Sequence, residues 1–473
     1  MLKSATTTPI PGIGSMPPTI KPKNKHMYKN DNSDMTRFFA QQGVPPLSHA
    51  FQSKIAVHPG LGGTLIAKEQ VQKHMDCLLD KERKGKSVAY IHVPFCQTHC
   101  LYCGFYNKAY HKNDSKIYTD TLIKELELWS KKKAVTSSPI HAVYLGGGTP
   151  TALDGPDLTK ILKKISEILP LANDCEITIE GRLSNFDASK MEACLKGGAN
   201  RFSLGVQSFQ TEIRRSMGRL GTQEDMIHSL ELLMSYGQAS VIVDLIFGFP
   251  RQTMDLWLED IAIAQSLNLD GADCYQLNIY KNTPLGKAIE EGKMPAGADL
   301  PKQSAMFAAG VEAMEKAFYR RLSISHWART SRERNLYNLY VKGSANCLAF
   351  GPGAGGNLTG NFYMNNSDYK IWQKAVLEGV KPYAMAIQPR QDWLLFRDIA
   401  ENLEQGWLDM LALKAKHKVD IEFICFPLIE QWQHVGLLEN KAGKLVLTIA
   451  GQFWQVNLSQ LLQEYLKMNM EKN

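Results

Sequence analysis

Tyr90-Ile91-His92-Val93-Pro94-Phe95-Cys96-Gln97-Thr98-His99-Cys100-Leu101-Tyr102-Cys103 decides how the rest of the chain is read. The apolar run Val88 to Val93 has the composition of a strand, and it empties into a loop with cysteines at spacing C-x3-C-x2-C. Thiolates bunched in this way are metal ligands. A cubane iron–sulfur cluster has four irons, so three thiolates leave one iron open to a further ligand. A zinc site would need a fourth Cys or His close by, which His92 or His99 could supply, and spacing alone leaves that reading open.

Working outward, β-branched apolar runs alternate from Ser87 onward with longer amphipathic stretches, the pattern of successive βα units on a parallel sheet. Strands are expected at 88–93, 141–145, 175–179, 201–206, 241–247 and 274–279, with helices near 116–131, 156–169, 187–196, 222–236, 254–267 and 303–319. Six units are two short of a closed eightfold barrel, so the expected fold is α/β, a partial (β/α)6 barrel. In such folds chemistry sits where strands end in loops. Each expected exit carries a polar group or a bare backbone: the cysteines, Gly146-Gly147-Gly148-Thr149, Glu180, Gln207, Asp244, and Gln276 with Asn278. Glycines after a strand let a ligand approach the main chain, and no Lys follows these, so the loop is not a phosphate-binding P-loop. A literal G-x-G-x-x-G at Gly351 to Gly356 is not a dinucleotide site, because no helical pattern follows it.

The 473 residues, 44% hydrophobic and 21% charged, suffice for one large domain and a smaller one. No run approaches the roughly 20 apolar residues of a membrane span, and no apolar signal core opens the chain, so a cytoplasmic protein is expected. The six scattered cysteines form no disulfide framework and read as buried thiols. Much of the net charge of +7 comes from residues 1–50, which carry six Lys/Arg against two Asp/Glu. The expected organisation is an extension over 1–84 that is flexible at its start, a barrel over 85–320, a connecting and lid region over 321–384 with the glycine loop, and a C-terminal unit over 385–473. That last unit shows three helical patterns and a strand pair, a winged-helix-like order. With nine Lys/Arg against eleven Asp/Glu it lacks the basic face of a nucleic-acid reader.

The motif C-x3-C-x-aromatic-C after a first strand resembles the radical S-adenosylmethionine (SAM) superfamily, and YIHVPFCQTHCLYC is similar to its haem-pathway branch. The resemblance implies a [4Fe-4S] cluster on Cys96, Cys100 and Cys103, whose open iron chelates the methionine end of SAM. One electron would then cleave SAM to methionine and a 5'-deoxyadenosyl radical. It further implies that Gly147, Gly148 and Thr149 hold the amino end of that methionine. Glu180, Gln207, Arg219, Asp244 and Asn278 would contact SAM, with Tyr90 and Tyr102 near the cofactor. Oxygen-independent coproporphyrinogen oxidases, similar from about Val88 to Asn278, hold two SAM molecules, which a methyl-transferring relative needs.

Two departures weigh against a strict oxidase: Phe105 stands where those oxidases often have a fourth cysteine, and Gly181-Arg182-Leu183 follows Glu180. The stretches His58 to Thr64 and Ser325 to Thr330 are more similar to the anaerobic haem-degrading radical SAM methyltransferases of the ChuW/HutW type. What this implies is methyl transfer to haem, ring opening to a methylated linear tetrapyrrole and release of iron. A flavodoxin or flavin reductase would donate electrons, and a further partner could accept the tetrapyrrole. The rival readings are an oxygen-independent coproporphyrinogen III oxidase and a non-catalytic haem chaperone, for which His58, His92, His99 and His326 are candidate axial ligands.

Overall fold

The structure, a computed structural model, describes residues 35–55 and 62–470. Expectations that fall on residues 1–34 and on His58 lie outside them. The parallel centre consists of β1 (Ser87–Val93), β2 (Ile140–Gly147), β3 (Leu171–Gly181), β4 (Arg201–Gln207), β5 (Ser240–Phe247) and β6 (Gly271–Gln276). Each pairs in parallel with the next. Every residue of β1 is buried, as expected of a strand covered on both faces, which is why its sequence reads as an unbroken apolar run. The crossover helices are α1 (Asp114–Trp129), α2 (Gly155–Ile168), α3 (Ala188–Gly197), α4 (Gln223–Ser235) and α5 (Met254–Ser266), and α6 (Leu300–Lys316) packs beyond β6. Their starts are written in the sequence: Asp187, Thr222, Thr253 and Asp299 each accept a backbone N–H of the first turn, and Thr222 with Asp225 completes a capping box.

The sheet extends further than periodicity suggests. β7 (His326–Ala328) runs antiparallel to β6, while β8 (Asn346–Phe350) pairs in parallel with β1 on the other side, Ala349 opposite Tyr90. Three antiparallel strands continue from β8: β9 (Gly355–Leu358), β10 (Asn361–Asn365) and β11 (Tyr383–Gln388). Thr64–Leu65 closes that edge and Arg320–Arg321 the opposite one, giving thirteen strands. Residues 321–384, expected as a connecting and lid region, thus supply sheet, and the expected limit at 384/385 falls inside β11. The glycine loop turns β8 into the β9–β10 hairpin and opens no helix, which agrees with rejecting a dinucleotide site. Behind it Glu125 of α1 accepts from the Gly351 N–H at 2.7 Å, Trp372 Nε1 at 3.0 Å and Asn365 Nδ2 at 3.1 Å, and pairs with Lys381 at 2.8 Å.

Two other boundaries move for physical reasons. β6 begins three residues early, at Gly271, where a Cβ would lie 2.4 Å from the Trp327 carbonyl of β7; the small residues that this crossing requires are weak strand formers. It ends at Gln276, so Asn278 lies in the loop and is exposed. The helical pattern that the sequence shows over 65–79 forms an α-helix only from Val71 to Leu79, because Leu65 pairs as a strand with Ile387.

The C-terminal region contains α7 (Trp393–Glu404), α8 (Met410–His417) and α9 (Phe426–His434), a hairpin of Leu438–Lys441 and Lys444–Leu447, and a long α10 (Gln455–Met470). Sequence reading left α10 unassigned because its buried positions include Gln455, Asn457, Ser459 and Gln463, which blur the apolar stripe. Residues 35–55 are fastened across this region: Trp432 Nε1 donates to Phe38 O at 3.2 Å, Gln431 Nε2 to Ala40 O at 2.8 Å and Trp454 Nε1 to Pro46 O at 2.9 Å. Of the scattered cysteines, Cys77 is exposed and Cys274 half-buried rather than buried, and the other four are buried. No helix among the described residues is long and apolar enough to cross a membrane.

Candidate active site

The cysteine loop is pinned at both ends. Phe95–Cys96 pairs with Lys108–Ala109, folding the intervening residues into a closed turn, and the Leu101 N–H donates to Met217 O at 3.1 Å. Cys96 and Cys100 are buried and Cys103 is half-buried. Thr149 Oγ1 donates to Cys96 Sγ at 3.5 Å, Arg219 Nη1 to Cys100 Sγ at 3.2 Å and the Phe105 N–H to Cys103 Sγ at 3.3 Å. Burial pushes the Cys96 thiol up and the Cys103 thiol up to about 11. Burial acts the same way on Cys100, but the guanidiniums of Arg219 and Arg182 outweigh it and hold this thiol below its ordinary value.

Arg182 is a residue that sequence reading noted only as a departure. Its Nη1 donates to Thr98 O at 3.0 Å and Thr98 Oγ1 at 2.9 Å, clamping the middle of the loop while its charge faces the thiols. Its position directly after the β3 exit was the available signal. Arg182→Met is expected to lower iron bound after reconstitution severalfold, since a charged hydrogen bond of this kind is worth about 1.5–3 kcal/mol. An iron and acid-labile sulfide assay checks it; wild-type occupancy would remove Arg182 from the site.

Around the loop the structure brings together most of the expected residues. Gly148 N donates to Val93 O at 2.7 Å, and a Cβ on Gly147, which has φ +110°, would lie 2.5 Å from the His92 ring. The Gly147 N–H donates to Glu180 Oε2 at 3.3 Å. Ser203 Oγ donates to Asp244 Oδ1 at 3.3 Å. Burial, reinforced by Asp244, pushes Glu180 up to about 8; burial, reinforced by Asp273, pushes Asp244 up to about 7. Tyr90 stacks against Tyr144 and Tyr337, with its hydroxyl 3.0 Å from His92 Nδ1. Arg219 spends its fork on Cys100, on Tyr102 Oη at 3.2 Å and on Gly205 O. Asn278 is not drawn into this group.

Two features fit a ligand that the protein alone does not satisfy. Gln207 sits at the end of β4 with φ 72°, a left-handed conformation that disfavours a side chain, and its Oε1 is buried without a partner. Arg219 Nε is likewise buried without one. An unmatched acceptor and an unmatched guanidinium donor beside the thiols suit the amino-acid end of SAM. The thiols, each facing a guanidinium, suit a cluster in which each binds a different iron. Among the described residues no three His, Cys, Asp or Glu side chains converge on a single ion. His92 is turned to Tyr90, and burial lowers its pKa to about 4, while His99 stacks on Tyr106 at 4.1 Å; neither completes a zinc set.

His326 is not open to a haem iron. It is 1% exposed, its Nδ1 is 2.7 Å from Asp273 Oδ1 and its Nε2 is 3.0 Å from Glu333 Oε1. A cavity of about 300 Å³ lies away from the thiols, between the Arg320–Arg321 edge and the C-terminal hairpin, lined by Arg321, Trp407, Lys444 and Gln452 among others.

Residues 90–262, which hold the thiols, Glu180, Gln207, Arg219 and Asp244, match the model of the radical SAM superfamily. Anaerobilin synthase of Escherichia coli O157:H7 is 40% identical over 446 residues, 93% of this chain and 98% of that protein. The chain belongs to the radical SAM superfamily. It therefore carries the [4Fe-4S] cluster and SAM of that family. Heme chaperone HemW of Bacillus subtilis (strain 168) is 29% identical over 77% of this chain and 96% of its own length. The solved structure of coproporphyrinogen III oxidase from Escherichia coli, a radical SAM enzyme, superposes with a TM-score of 0.72 at 19% identity, covering 85% of this chain and 97% of that one. That likeness carries the fold, including the sheet that periodicity understated.

Proposed function

We propose that this chain degrades haem anaerobically by radical SAM methyl transfer, opening the porphyrin to a methylated linear tetrapyrrole and releasing iron. The observation that carries the reading is the 40% identity to anaerobilin synthase, which runs through almost the whole of both chains and so includes the segments outside the barrel. The mouth of the site agrees with it. Phe105, Leu220, Tyr275, Ile279 and Tyr280 are exposed on or beside the loops where strands end, an apolar rim for a large flat substrate.

In this reading Cys96, Cys100 and Cys103 hold the cluster, with Arg219 and Arg182 offsetting thiolate charge. When bound, cluster and SAM supply one-electron cleavage to a carbon radical. Gly147, Gly148 and Thr149 hold the methionine amino group through bare backbone and one hydroxyl. Gln207 Oε1 and Arg219 Nε, the unmatched pair, take up the rest of that amino-acid end. Glu180 and Asp244 accept from ribose hydroxyls of SAM, and Tyr90 and Tyr102 pack beside the cofactor. Asn278 acts only if its loop turns inward on binding. Two SAM molecules are required, one for the radical and one for the methyl group. A flavodoxin or flavin reductase reaches the cluster beside half-buried Cys103 and exposed Phe105. The protein works in the cytoplasm, without nucleic acid, and hands its tetrapyrrole to an accepting partner. The barrel and its flanking strands carry the chemistry, and the region from α7 onward covers them.

Reconstituted protein given haem, excess SAM and a low-potential reductant without oxygen is expected to yield an iron-free tetrapyrrole heavier by a methyl group, read by mass spectrometry. Unchanged haem overturns the reading in favour of a chaperone; loss of two carboxylates from coproporphyrinogen in the same assay replaces it with the oxidase.

A further inference from the structure

We propose that Lys54 is the anchor for a carboxylate of the substrate at the mouth of the barrel, an inference that rests on the haem reading above. Lys54 lies on a segment fixed to α10: the Ile55 N–H donates to Asn457 Oδ1 at 2.9 Å, and Asn457 Nδ2 donates to Ser53 O at 3.0 Å. The ammonium so placed donates to Gln276 Oε1, on the last residue of β6, and lies 3.6 Å from the centroid of the Phe453 ring. Gln276 Nε2 donates in turn to Gln303 Oε1 at 2.5 Å, and Gln303 Nε2 to Leu277 O at 3.3 Å. Gln303 backs directly on Gly248, the first residue after β5, so this amide pair sits where two barrel strands end.

Among the described residues the partners of the Lys54 ammonium are the Gln276 amide and the Phe453 ring, both neutral. Among the described residues no carboxylate stands within ion-pair distance of it, and burial alone acts on its pKa, lowering it to about 7. A half-buried cation held by an amide and a ring, with no counter-charge among the described residues, is stabilised when an anion completes the site. Exposed Ile279, in the loop after β6, stands by Gly297 and Gly248 beside this amide pair, and exposed Tyr280 follows it, so the fitting ligand joins an anionic group to an apolar face. A tetrapyrrole with carboxylate side chains has both. SAM also carries a carboxylate, and the test separates the two sources.

Haem and its dimethyl ester, which lacks the carboxylates, are titrated by absorbance into the full-length protein, alongside SAM. The wild type is expected to bind the free acid about tenfold more tightly than the ester, a modest step for one charged contact. Lys54→Met is expected to lose that preference while binding the ester and SAM as before, and Lys54→Arg to keep it. Equal affinity of the wild type for acid and ester overturns the assignment without recourse to a variant. So does unchanged haem affinity in Lys54→Met, or a loss confined to SAM. A wild type that binds neither form of haem strikes the haem reading itself.

Discussion

Cys100→Ala is expected to form no detectable 5'-deoxyadenosine from SAM, and Cys96→Ala and Cys103→Ala to behave alike. The argument is one of ligand number. A three-thiolate site has no spare ligand, and among the described residues the two nearby histidines are engaged elsewhere, His92 with Tyr90 and His99 against Tyr106. Cys100 is the sharpest of the three tests. Removing its sulfur leaves Arg219 buried with only Tyr102 Oη and the Gly205 carbonyl as partners, so the loop loses both a ligand and the group that its guanidinium compensates. The measurement pairs chromatography of 5'-deoxyadenosine with iron per chain after reconstitution. Cys194→Ala, at a buried thiol outside the loop, is the control and is expected to retain iron. Substantial 5'-deoxyadenosine from all three loop variants would remove the cluster from these cysteines.

That prediction was available from sequence, and it is instructive to see why. The thiols fall within eight residues, and the strands around them are short apolar runs whose burial on both faces leaves a plain composition signal. The same logic reached Glu180, because a strand exit is a local feature, whereas Asp244 lies three residues inside β5 and faces the same interior. It could not locate groups assembled from distant positions. His326, Asp273, Glu333 and Arg201 come from β7, the last barrel strand, a loop and the start of β4, and no spacing rule joins them. The histidine was legible as a candidate axial ligand, whereas its two carboxylate partners were not legible at all. β8 was missed for the related reason that a parallel strand added across some 250 residues leaves no local trace; its register with β1 exists only in three dimensions. Asn278 was expected inside the last strand and lies two residues past its end, since the small residues that begin β6 hid where that strand starts.

Glu333→Ala is expected to destabilise the fold by about 3–5 kcal/mol, the cost of breaking a buried ion pair from one side. Glu333 is fully buried and serves two cations and a hydroxyl. Arg201 Nη2 lies 3.0 Å from its Oε1, His326 Nε2 lies 3.0 Å from the same oxygen, and Ser240 Oγ donates to its Oε2 at 2.8 Å. Without it Arg201, itself 1% exposed, keeps a charge that nothing nearby neutralises as closely. At roughly 2 °C per kcal/mol for a domain of this size the melting temperature should fall by roughly 6–10 °C. Glu312→Ala, which breaks a solvent-exposed i,i+4 pair with Lys316, should leave it unchanged. The network also sets a pH dependence. Burial opposes charge on His326, but Asp273 and Glu333 prevail and raise it from 6.5 to about 9, so its contribution is complete below about pH 6.5 and is lost as pH rises through 9. Glu333 is held well below the usual carboxylate range despite burial, because Arg201 and His326 face it, so its contribution is present above that range and is lost only in strong acid. Wild-type melting temperature should therefore decline between about pH 6.5 and 9, and the decline should be shallower in Glu333→Ala, where His326 keeps Asp273 alone. Parallel curves for the two proteins would mean that His326 and Glu333 do not act together.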